Sequence, residues 1–273
     1  MNNQKKHQLQ YTRDEFGREI LLKDGSLQVM MEWEKPYMEA CINAIQPSGD
    51  VLEIGFGFGY SATQIQRYQP KSHTIIECDP TVIEKAQEWA KNYPNVKIIQ
   101  GYWQDQLKNL GLFDTIFFDD YTPFDAEEVE EIESKIKKLQ KVEEDLQILQ
   151  EELKKTLLNA LNQNNSNKKE QSSEVSRETK NVNKEENTSD SRASSDRLII
   201  FFQLCLDHHM HHGARMSSYI DFAQFKKQKH EFQRLIASRS DVNYTMKTIP
   251  IEVPLNCQYY AGNEALVLTI YKK

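Results

Sequence analysis

Carboxylates from two separate stretches of the chain are the first candidates for chemistry. Asp119 and Asp120 end the apolar segment FDTIFFDD, and Glu34 lies in the segment MEWEKPYM. An acidic pair after an apolar strand is costly unless it contacts a cation or a hydrogen-bond donor. A guanidinium suits such a site, because its planar N–H donors pair with carboxylates and its pKa lies above about 12. The alternative is that Asp119 and Asp120 only cap a helix or a turn.

A glycine-rich turn lies between an apolar strand and a helix. The segment VLEIGFGFGYSA contains Gly55, Gly57 and Gly59, and glycine lets a backbone turn tightly and approach a ligand, with helix N–H groups facing an anionic or polar group. Glu77 ends the next predicted strand, where a carboxylate can accept both hydroxyls of an adenosine ribose. The GxGxG spacing leans away from a dinucleotide, but it does not by itself separate NAD from S-adenosylmethionine. A tight turn without a ligand is the alternative.

Two further segments carry side chains that suit a ligand. Trp103 and Gln104 follow the third predicted strand, where the indole can pack on a purine face or, alternatively, in the core. The segment DHHMHHG places His208 and His212 four residues apart, a spacing that can share a metal on a helix face. These histidines stand outside any recognised metal motif, and before Gly213 they equally suit a helix C-terminus. We therefore predict no metal site.

Alternating strands and helices must position these residues. A helix is predicted over residues 31–45, because Pro36 suits its first turn. Its apolar side chains share one face: Tyr37, Met38, Cys41, Ile42 and Ile45. Strands are predicted over residues 50–56, 73–78, 96–100, 113–119, 214–220, 244–253 and 265–271, and helices from about residue 60, over 80–92 and over 197–210. Continuous apolar strands indicate an α/β fold with a doubly wound, mostly parallel sheet closed by a terminal strand pair.

A long acidic insertion follows the fourth strand. Residues 124–196 hold 18 acidic and 12 basic side chains, whereas the other 200 residues are nearly neutral. Within residues 124–162 a near-heptad apolar stripe without Gly or Pro predicts a long helix. That helix is either a coiled-coil handle for self-association or a partner, or a solvated insertion. Residues 163–196 are too polar to offset ordering entropy, which predicts a disordered linker.

Composition excludes several classes of protein. The chain has 273 residues, a formal net charge of −7 and 38% hydrophobic residues. Its sequence contains no apolar run of membrane-spanning length, its first 20 residues contain no apolar stretch of signal-peptide length, and the four cysteines are widely spaced. We therefore expect a cytoplasmic protein with reduced thiols and without a membrane or nucleic-acid partner.

The residues above resemble those of the guanidinoacetate methyltransferase family and its relatives, the arginine N-methyltransferase-2-like proteins. The resemblance covers residues 29–123 well and residues 197–273 loosely, and the WE-x-PYM block beside LEIGFG is its most specific part. The segments that carry it are VMMEWEKPYM, VLEIGFGFGYSA, IIECDP, GYWQD, FDTIFFDDYTP and VPLNCQYYA.

The resemblance implies a class I methyltransferase (Rossmann-like) fold with S-adenosylmethionine as the methyl donor. It implies that Glu34 grips the guanidino group and that Asp119 is the base. Asp120, a second acid by which the sequence departs from the family, and Tyr219, in a segment that does not clearly match the family, are further candidate substrate contacts. The positions that match cofactor-binding residues are Met38, Gly55, Gly57, Phe58, Gly59, Tyr60, Ser61, Glu77, Cys78, Asp79, Trp103 and Gln104. Residues 29–123 and 197–273 then form the methyltransferase domain, and residues 1–28 cover the cofactor site.

The sequence therefore predicts an S-adenosylmethionine-dependent N-methyltransferase that acts on a guanidino group. A small substrate such as guanidinoacetate is the main expectation, and a protein arginine is the first alternative. A third interpretation is a non-catalytic interaction protein that presents the helical insertion, although Glu34, Asp119, Glu77 and the glycines together argue against it.

Overall fold

The computed structural model describes residues 8–120, 149–150, 152–155, 196–260 and 262–273. The chain divides into one compact unit of residues 1–123 and 194–273 and a second unit of residues 124–193. In the second unit the described residues are helical, and Leu149 and Leu153 are each 62% exposed. The rest of the predicted coiled-coil-like helix and residues 163–195 of the predicted linker lie outside the described residues.

Strands and helices alternate through most of the larger unit. The strands are β1 (Leu9–Arg13), β2 (Glu19–Lys23), β3 (Leu27–Met31), β4 (Asp50–Ile54), β5 (Ser72–Glu77), β6 (Val96–Gln100), β7 (Phe113–Phe118), β8 (Met210–Ser218), β9 (Val242–Pro250) and β10 (Glu264–Lys272). The helices are α1 (Lys35–Ile45), α2 (Tyr60–Gln66), α3 (Pro80–Ala90), α4 (Trp103–Gln106), α5 (Asp196–Leu204) and α6 (Phe222–Ala237). No helix among these described residues is long and apolar enough to cross a membrane.

The central sheet has seven strands in the order β6-β5-β4-β7-β8-β10-β9. Strands β4 to β8 pair in parallel, and β10 is antiparallel to both of its neighbours. Along β7 the buried Phe117 faces one hydrophobic core, whereas Ile116 and Phe118 face the other. A strand that is buried on both faces must be apolar throughout, which is why the sequence pattern predicted this sheet correctly.

Helix α1 follows a short 3-10 turn at Glu32–Glu34 and begins at Lys35. The predicted apolar face is buried as expected. The predicted start at residue 31 is too early, because Met31 still belongs to β3. Glu34 therefore stands at the junction between strand and helix, where its side chain accepts a hydrogen bond from the Met31 backbone N–H at 3.0 Å.

The N-terminal strands β1, β2 and β3 form a separate antiparallel sheet. Asp14 shapes the turn between β1 and β2 by accepting hydrogen bonds from the backbone N–H groups of Phe16 and Arg18. The sheet is tied to the central fold by Tyr11, whose hydroxyl donates to the Gly57 carbonyl at 2.6 Å. Residues 1–28 were predicted to cover the cofactor site, but their strands were not predicted from the sequence.

Two elements after the insertion also differ from the prediction. The predicted helix over residues 197–210 ends earlier, because α5 passes into a π-helical turn at Cys205–His209 and β8 begins at Met210. Helix α6 was not predicted, although its buried Phe225 and Phe232 lie seven residues apart on one face.

Candidate active site

A cavity opens at the carboxyl ends of β4, β5 and β7, where parallel α/β sheets bind ligands. Ten of the predicted site residues line it: Glu34, Gly55, Gly57, Glu77, Cys78, Asp79, Trp103, Asp119, Asp120 and Tyr219. Residues from six separate segments of the sequence therefore meet at one place.

The other predicted cofactor residues do not line this cavity. Met38 is fully buried in the core beneath α1. Phe58 packs on Tyr11 and Tyr60 with ring-centroid distances of 5.3 Å to each. Ser61 donates a hydrogen bond to the buried Glu53. The remaining residues of this group are Gly59, in the left-handed conformation before α2, and Gln104, in α4.

The glycine turn brings two cavity walls into close contact. At Gly55, which has a φ of +80°, an added Cβ would lie 2.0 Å from the Asp119 carbonyl oxygen. At Gly57 an added Cβ would lie 2.5 Å from the Met30 sulfur. Glycine is therefore required at position 55 by the approach of the Asp119 backbone, independently of any ligand, whereas the Met30 side chain near Gly57 is flexible.

Glu77 presents a firmly held carboxylate at the end of β5. Its oxygens accept hydrogen bonds from the backbone N–H groups of Phe56 at 2.9 Å, Cys78 at 2.7 Å and Asp79 at 2.9 Å. Burial raises the pKa of this carboxyl, and the three N–H donors oppose that rise. Such a carboxylate retains acceptor capacity toward the cavity, which suits a pair of ribose hydroxyls.

Glu34 reaches the cavity from the start of α1 and is 3% exposed. Burial raises its pKa to about 7, while hydrogen bonds from the Tyr259 hydroxyl and the Met31 N–H act in the opposite direction. Near neutral pH both the charged and the neutral form of this carboxyl are therefore populated.

Asp119 is half-buried in the cavity wall directly after β7. Its pKa is raised well above the ordinary value by burial and then by the charges of Glu34 and other nearby carboxylates. Among the described residues none donates a hydrogen bond to its side chain. Two carboxyl groups that repel each other in one cavity favour a cationic ligand or a bound proton.

Asp120 lines the cavity but is engaged by protein groups. Its Oδ2 accepts a hydrogen bond from Trp103 Nε1 at 3.0 Å and forms an ion pair with Arg197. Trp103 is buried and contacts Phe118 and Phe201 edge-on. The predicted substrate contact at Asp120 therefore also fixes the indole in place.

Tyr219 places a buried hydroxyl at the cavity, and among the described residues this hydroxyl has no hydrogen-bond partner. Burial and the charge of Glu34 raise its pKa, so it stays protonated and can donate a hydrogen bond. A buried polar atom without a partner is costly, which points to a ligand as its partner.

Several residues that line the cavity were not predicted from the sequence. The most informative is Tyr259, which lines the cavity and donates to Glu34. The N-terminal sheet adds an apolar wall through Leu9, Leu21, Val29 and Met30. The tyrosine pair in VPLNCQYYA was visible in the sequence, but its contact with Glu34 spans 225 residues and leaves no local pattern.

The charge of the cavity lining is strongly one-sided. Five acidic residues line it, and no Lys, Arg or His does so within the part of the chain that the structure describes. In the same part of the chain, no group of three or more His, Cys, Asp or Glu side chains is placed to hold a metal ion. In the predicted histidine cluster, His209 Nδ1 lies 3.1 Å from the Gly111 carbonyl oxygen.

The sheet order and the cavity at its strand ends define a class I methyltransferase fold, as the sequence predicted. A family model described as guanidinoacetate N-methyltransferase matches residues 3–147, and the chain belongs to this family. The cofactor of this class is S-adenosylmethionine. The residues present suit it, because Glu77 offers acceptors for ribose hydroxyls and the acidic lining favours a sulfonium cation.

Similar proteins extend this comparison. A protein arginine N-methyltransferase 2 from Candida glabrata is 41% identical over 118 residues, which cover 41% of this chain and 27% of that protein. One from Saccharomyces cerevisiae is 35% identical over 130 residues, covering 43% of this chain and 30% of that protein. The match thus spans less than a third of each relative. Spermidine synthase from Thermotoga maritima has the same fold, with a TM-score of 0.53 and 13% identity over 99% of this chain and 71% of that one.

Proposed function

We propose that this protein is an S-adenosylmethionine-dependent N-methyltransferase whose acceptor is a guanidino group, with the arginine side chain of a protein as the preferred acceptor. The observation that carries the proposal is the presence of Glu34 and Asp119 in the same cavity as Glu77. Glu77, Gly55 and Gly57 would hold the cofactor, while the two other acids would hold the acceptor beside it.

The paired acids suit the chemistry of a guanidinium. Its planar N–H donors match the carboxylates of Glu34 and Asp119, which orients one nitrogen toward the methyl donor. S-adenosylmethionine, when bound, supplies an electrophilic methyl group on a sulfonium. Asp119 then accepts a proton from the attacking nitrogen, and its raised pKa favours that transfer because it brings base and acid closer in strength.

The one-sided charge of the lining supports arginine in a protein over the small acid guanidinoacetate. The carboxylate of guanidinoacetate would lie among Glu34, Asp119 and their acidic neighbours, without a basic partner among the described lining residues. An arginine side chain presents only its cation to the cavity. The names of the two fungal relatives agree with this preference.

Guanidinoacetate is the second candidate, because the family model that matches the chain carries its name. The Tyr219 hydroxyl offers that substrate a neutral hydrogen-bond donor. The two candidates differ in charge: guanidinoacetate brings a carboxylate into the cavity beside its guanidino group, whereas an arginine side chain does not.

An acceptor panel tests the proposal. Purified protein is incubated with S-adenosylmethionine and guanidinoacetate, free arginine or arginine-containing peptides, and methyl incorporation is followed by mass spectrometry. We expect the highest kcat/KM with an arginine peptide and its loss in Glu34→Gln. Faster turnover of guanidinoacetate would replace the proposed acceptor, and absence of cofactor binding by calorimetry would remove the enzyme interpretation.

A further inference from the structure

We propose that Tyr259 is a positioning residue that fixes the Glu34 carboxylate and holds it in the ionised form that grips the acceptor. This inference rests on the proposed function, because it assigns Tyr259 a role in the same acceptor site. Tyr259 acts through Glu34, from which it is separated by 225 positions in the sequence.

The hydrogen bonds around Glu34 leave one carboxylate oxygen for a ligand. Glu34 Oε1 accepts both from the Met31 backbone N–H and from the Tyr259 hydroxyl. With Oε1 held by two donors, the rotation of the carboxylate is fixed and Oε2 is the oxygen that remains for a guanidinium N–H. Tyr259 both lines the cavity and makes this hydrogen bond, so it is well placed to fix the orientation in which Glu34 holds the planar guanidinium.

Packing against Trp33 also holds the Tyr259 ring in place. The ring stacks on Trp33, with centroids 6.3 Å apart and planes at 29°. Trp33 immediately precedes Glu34 and also contacts Tyr260 at a centroid distance of 5.1 Å. The tyrosine ring and the carboxylate it serves are thus supported by the same indole.

Backbone contacts anchor the segment that carries Tyr259. The Gln258 N–H donates to the Gln28 side chain at 2.7 Å, and the Gln28 side-chain amide donates to the Asn256 carbonyl at 2.8 Å. Gln28 belongs to β3, the strand that leads directly into Glu34. The segment that carries the Tyr259 donor is therefore fixed to β3, the strand that leads to the Glu34 acceptor.

The burial of Glu34 makes the tyrosine hydrogen bond important for ionisation. The titratable groups that face it are Asp119 after β7, Tyr60 in α2, Tyr219 after β8 and the adjacent Tyr259 and Tyr260 before β10. Burial raises the pKa of Glu34 to about 7, and the Tyr259 hydroxyl is the first of the groups that lower it. Removing that donor raises the pKa of Glu34 further, so less of it is ionised at neutral pH.

The test compares Tyr259→Phe with Tyr260→Phe across a pH series, using the full chain and an arginine peptide. Tyr260 is a matched control, because its hydroxyl donates to the Glu264 carbonyl at 2.8 Å. For Tyr259→Phe we expect kcat/KM to fall roughly tenfold at pH 7, its acidic limb to move to higher pH, and activity to recover near pH 9. For Tyr260→Phe we expect an unshifted limb.

A second measurement separates this inference from the proposed function. The Glu34 carboxyl is titrated by 13C NMR in the protein alone, with Glu34→Gln used to assign the signal. Tyr259→Phe is expected to raise the apparent pKa, and Tyr260→Phe is expected to leave it unchanged. An unshifted pKa in Tyr259→Phe, or an equal loss of activity at every pH, overturns the positioning role. If the wild-type protein methylates none of the acceptors, the proposed function fails while the NMR result still decides the role of Tyr259.

Discussion

At the scale of residues, the proposed acceptor site keeps two carboxylates where they repel each other. Glu34 is buried and Asp119 is half-buried, and each raises the free energy of the other's charged form. Folding alone would favour neutral side chains at these positions. The arrangement is instead complementary to a cation. Binding of a cationic acceptor would offset the free energy that folding loses by placing the two carboxylates together.

Glu34→Gln should therefore increase stability while removing activity. Burial raises the pKa of Glu34 from 4.5 to about 7. Between these values the folded protein binds a proton more tightly than the unfolded chain, so the contribution of Glu34 to stability falls as pH rises through about 7. Near pH 8 the variant should be more stable by up to about 3 kcal/mol, with little difference near pH 4. Urea unfolding at both pH values measures this, and an equal difference at both would contradict it.

Asp119→Asn should reduce turnover by at least about 100-fold while cofactor affinity stays nearly unchanged. Asparagine keeps the shape of the side chain but cannot accept the proton released by the attacking nitrogen. Single-turnover rates and calorimetric titration with S-adenosylmethionine separate the two effects. A variant that is as active as the wild type would remove Asp119 as the base.

At the scale of elements, the cavity depends on close approach between the turn after β4 and the chain that follows β7. Gly55 allows the Asp119 carbonyl to pass within a distance that any side chain would block. The strand ends are joined by hydrogen bonds at 2.9 Å from the Gly55 N–H to the Ile76 carbonyl and from the Asp119 N–H to the Ile54 carbonyl. The turn thus sets the position of the proposed base.

Gly55→Ala should be far more destabilising than Gly25→Ala. Both glycines have positive φ, +80° and +74°, so both substitutions carry the backbone cost of about 1–2 kcal/mol. At Gly25 an added Cβ meets nothing within 4 Å, whereas at Gly55 it collides with the Asp119 carbonyl. Thermal unfolding of the two variants isolates the collision, and equal losses of stability would contradict the close approach.

The sequence predicts the central elements better than the peripheral ones. Strands β4 to β7 were predicted to within two residues at each end. Strands β4, β5 and β7 are largely buried and each contains adjacent apolar residues, whereas β6 is a partly exposed edge strand that still carries three apolar residues. The sheet of β1 to β3 was missed since its strands include polar residues and are partly exposed, although they are as long as β4 and β6. Glu77 and Asp119 could be predicted to meet because each lies at or just after the carboxyl end of a strand in one parallel sheet. Glu34 lay within a predicted helix, and only the family resemblance connected it with them. Tyr259 could not be predicted, because its contact is not local.

At the scale of the whole molecule, a long insertion separates two neighbouring parallel strands. Strands β7 and β8 pair directly, although residues 124–193 lie between them as a separate unit. The ion pair between Asp120 and Arg197 closes the chain at the base of this insertion. The methyltransferase domain of residues 29–123 and 197–273, proposed from the sequence, is consistent with a core that does not require the insertion.

Replacing residues 125–193 by a short Gly/Ser linker should therefore leave a soluble, cooperatively folded protein. The β7–β8 pairing and the Asp120–Arg197 ion pair are retained, and a shorter loop reduces the entropic cost of closing the chain between the two strands. We expect stability within about 1 kcal/mol of the full chain, measured by urea unfolding with circular dichroism. An insoluble or molten product would show that the insertion is part of the core.

The hydrogen bond between Glu34 and Tyr259 also has a consequence for biosynthesis. Its partners are 225 positions apart, and the acceptor pocket is closed by the segment just before the final strand. A nascent chain on the ribosome can form the turn after β4 early, but it cannot complete the proposed acceptor pocket until Tyr259 has also been synthesised. Truncated products that arise from premature termination would therefore lack a finished pocket, even when most of the domain has already been synthesised.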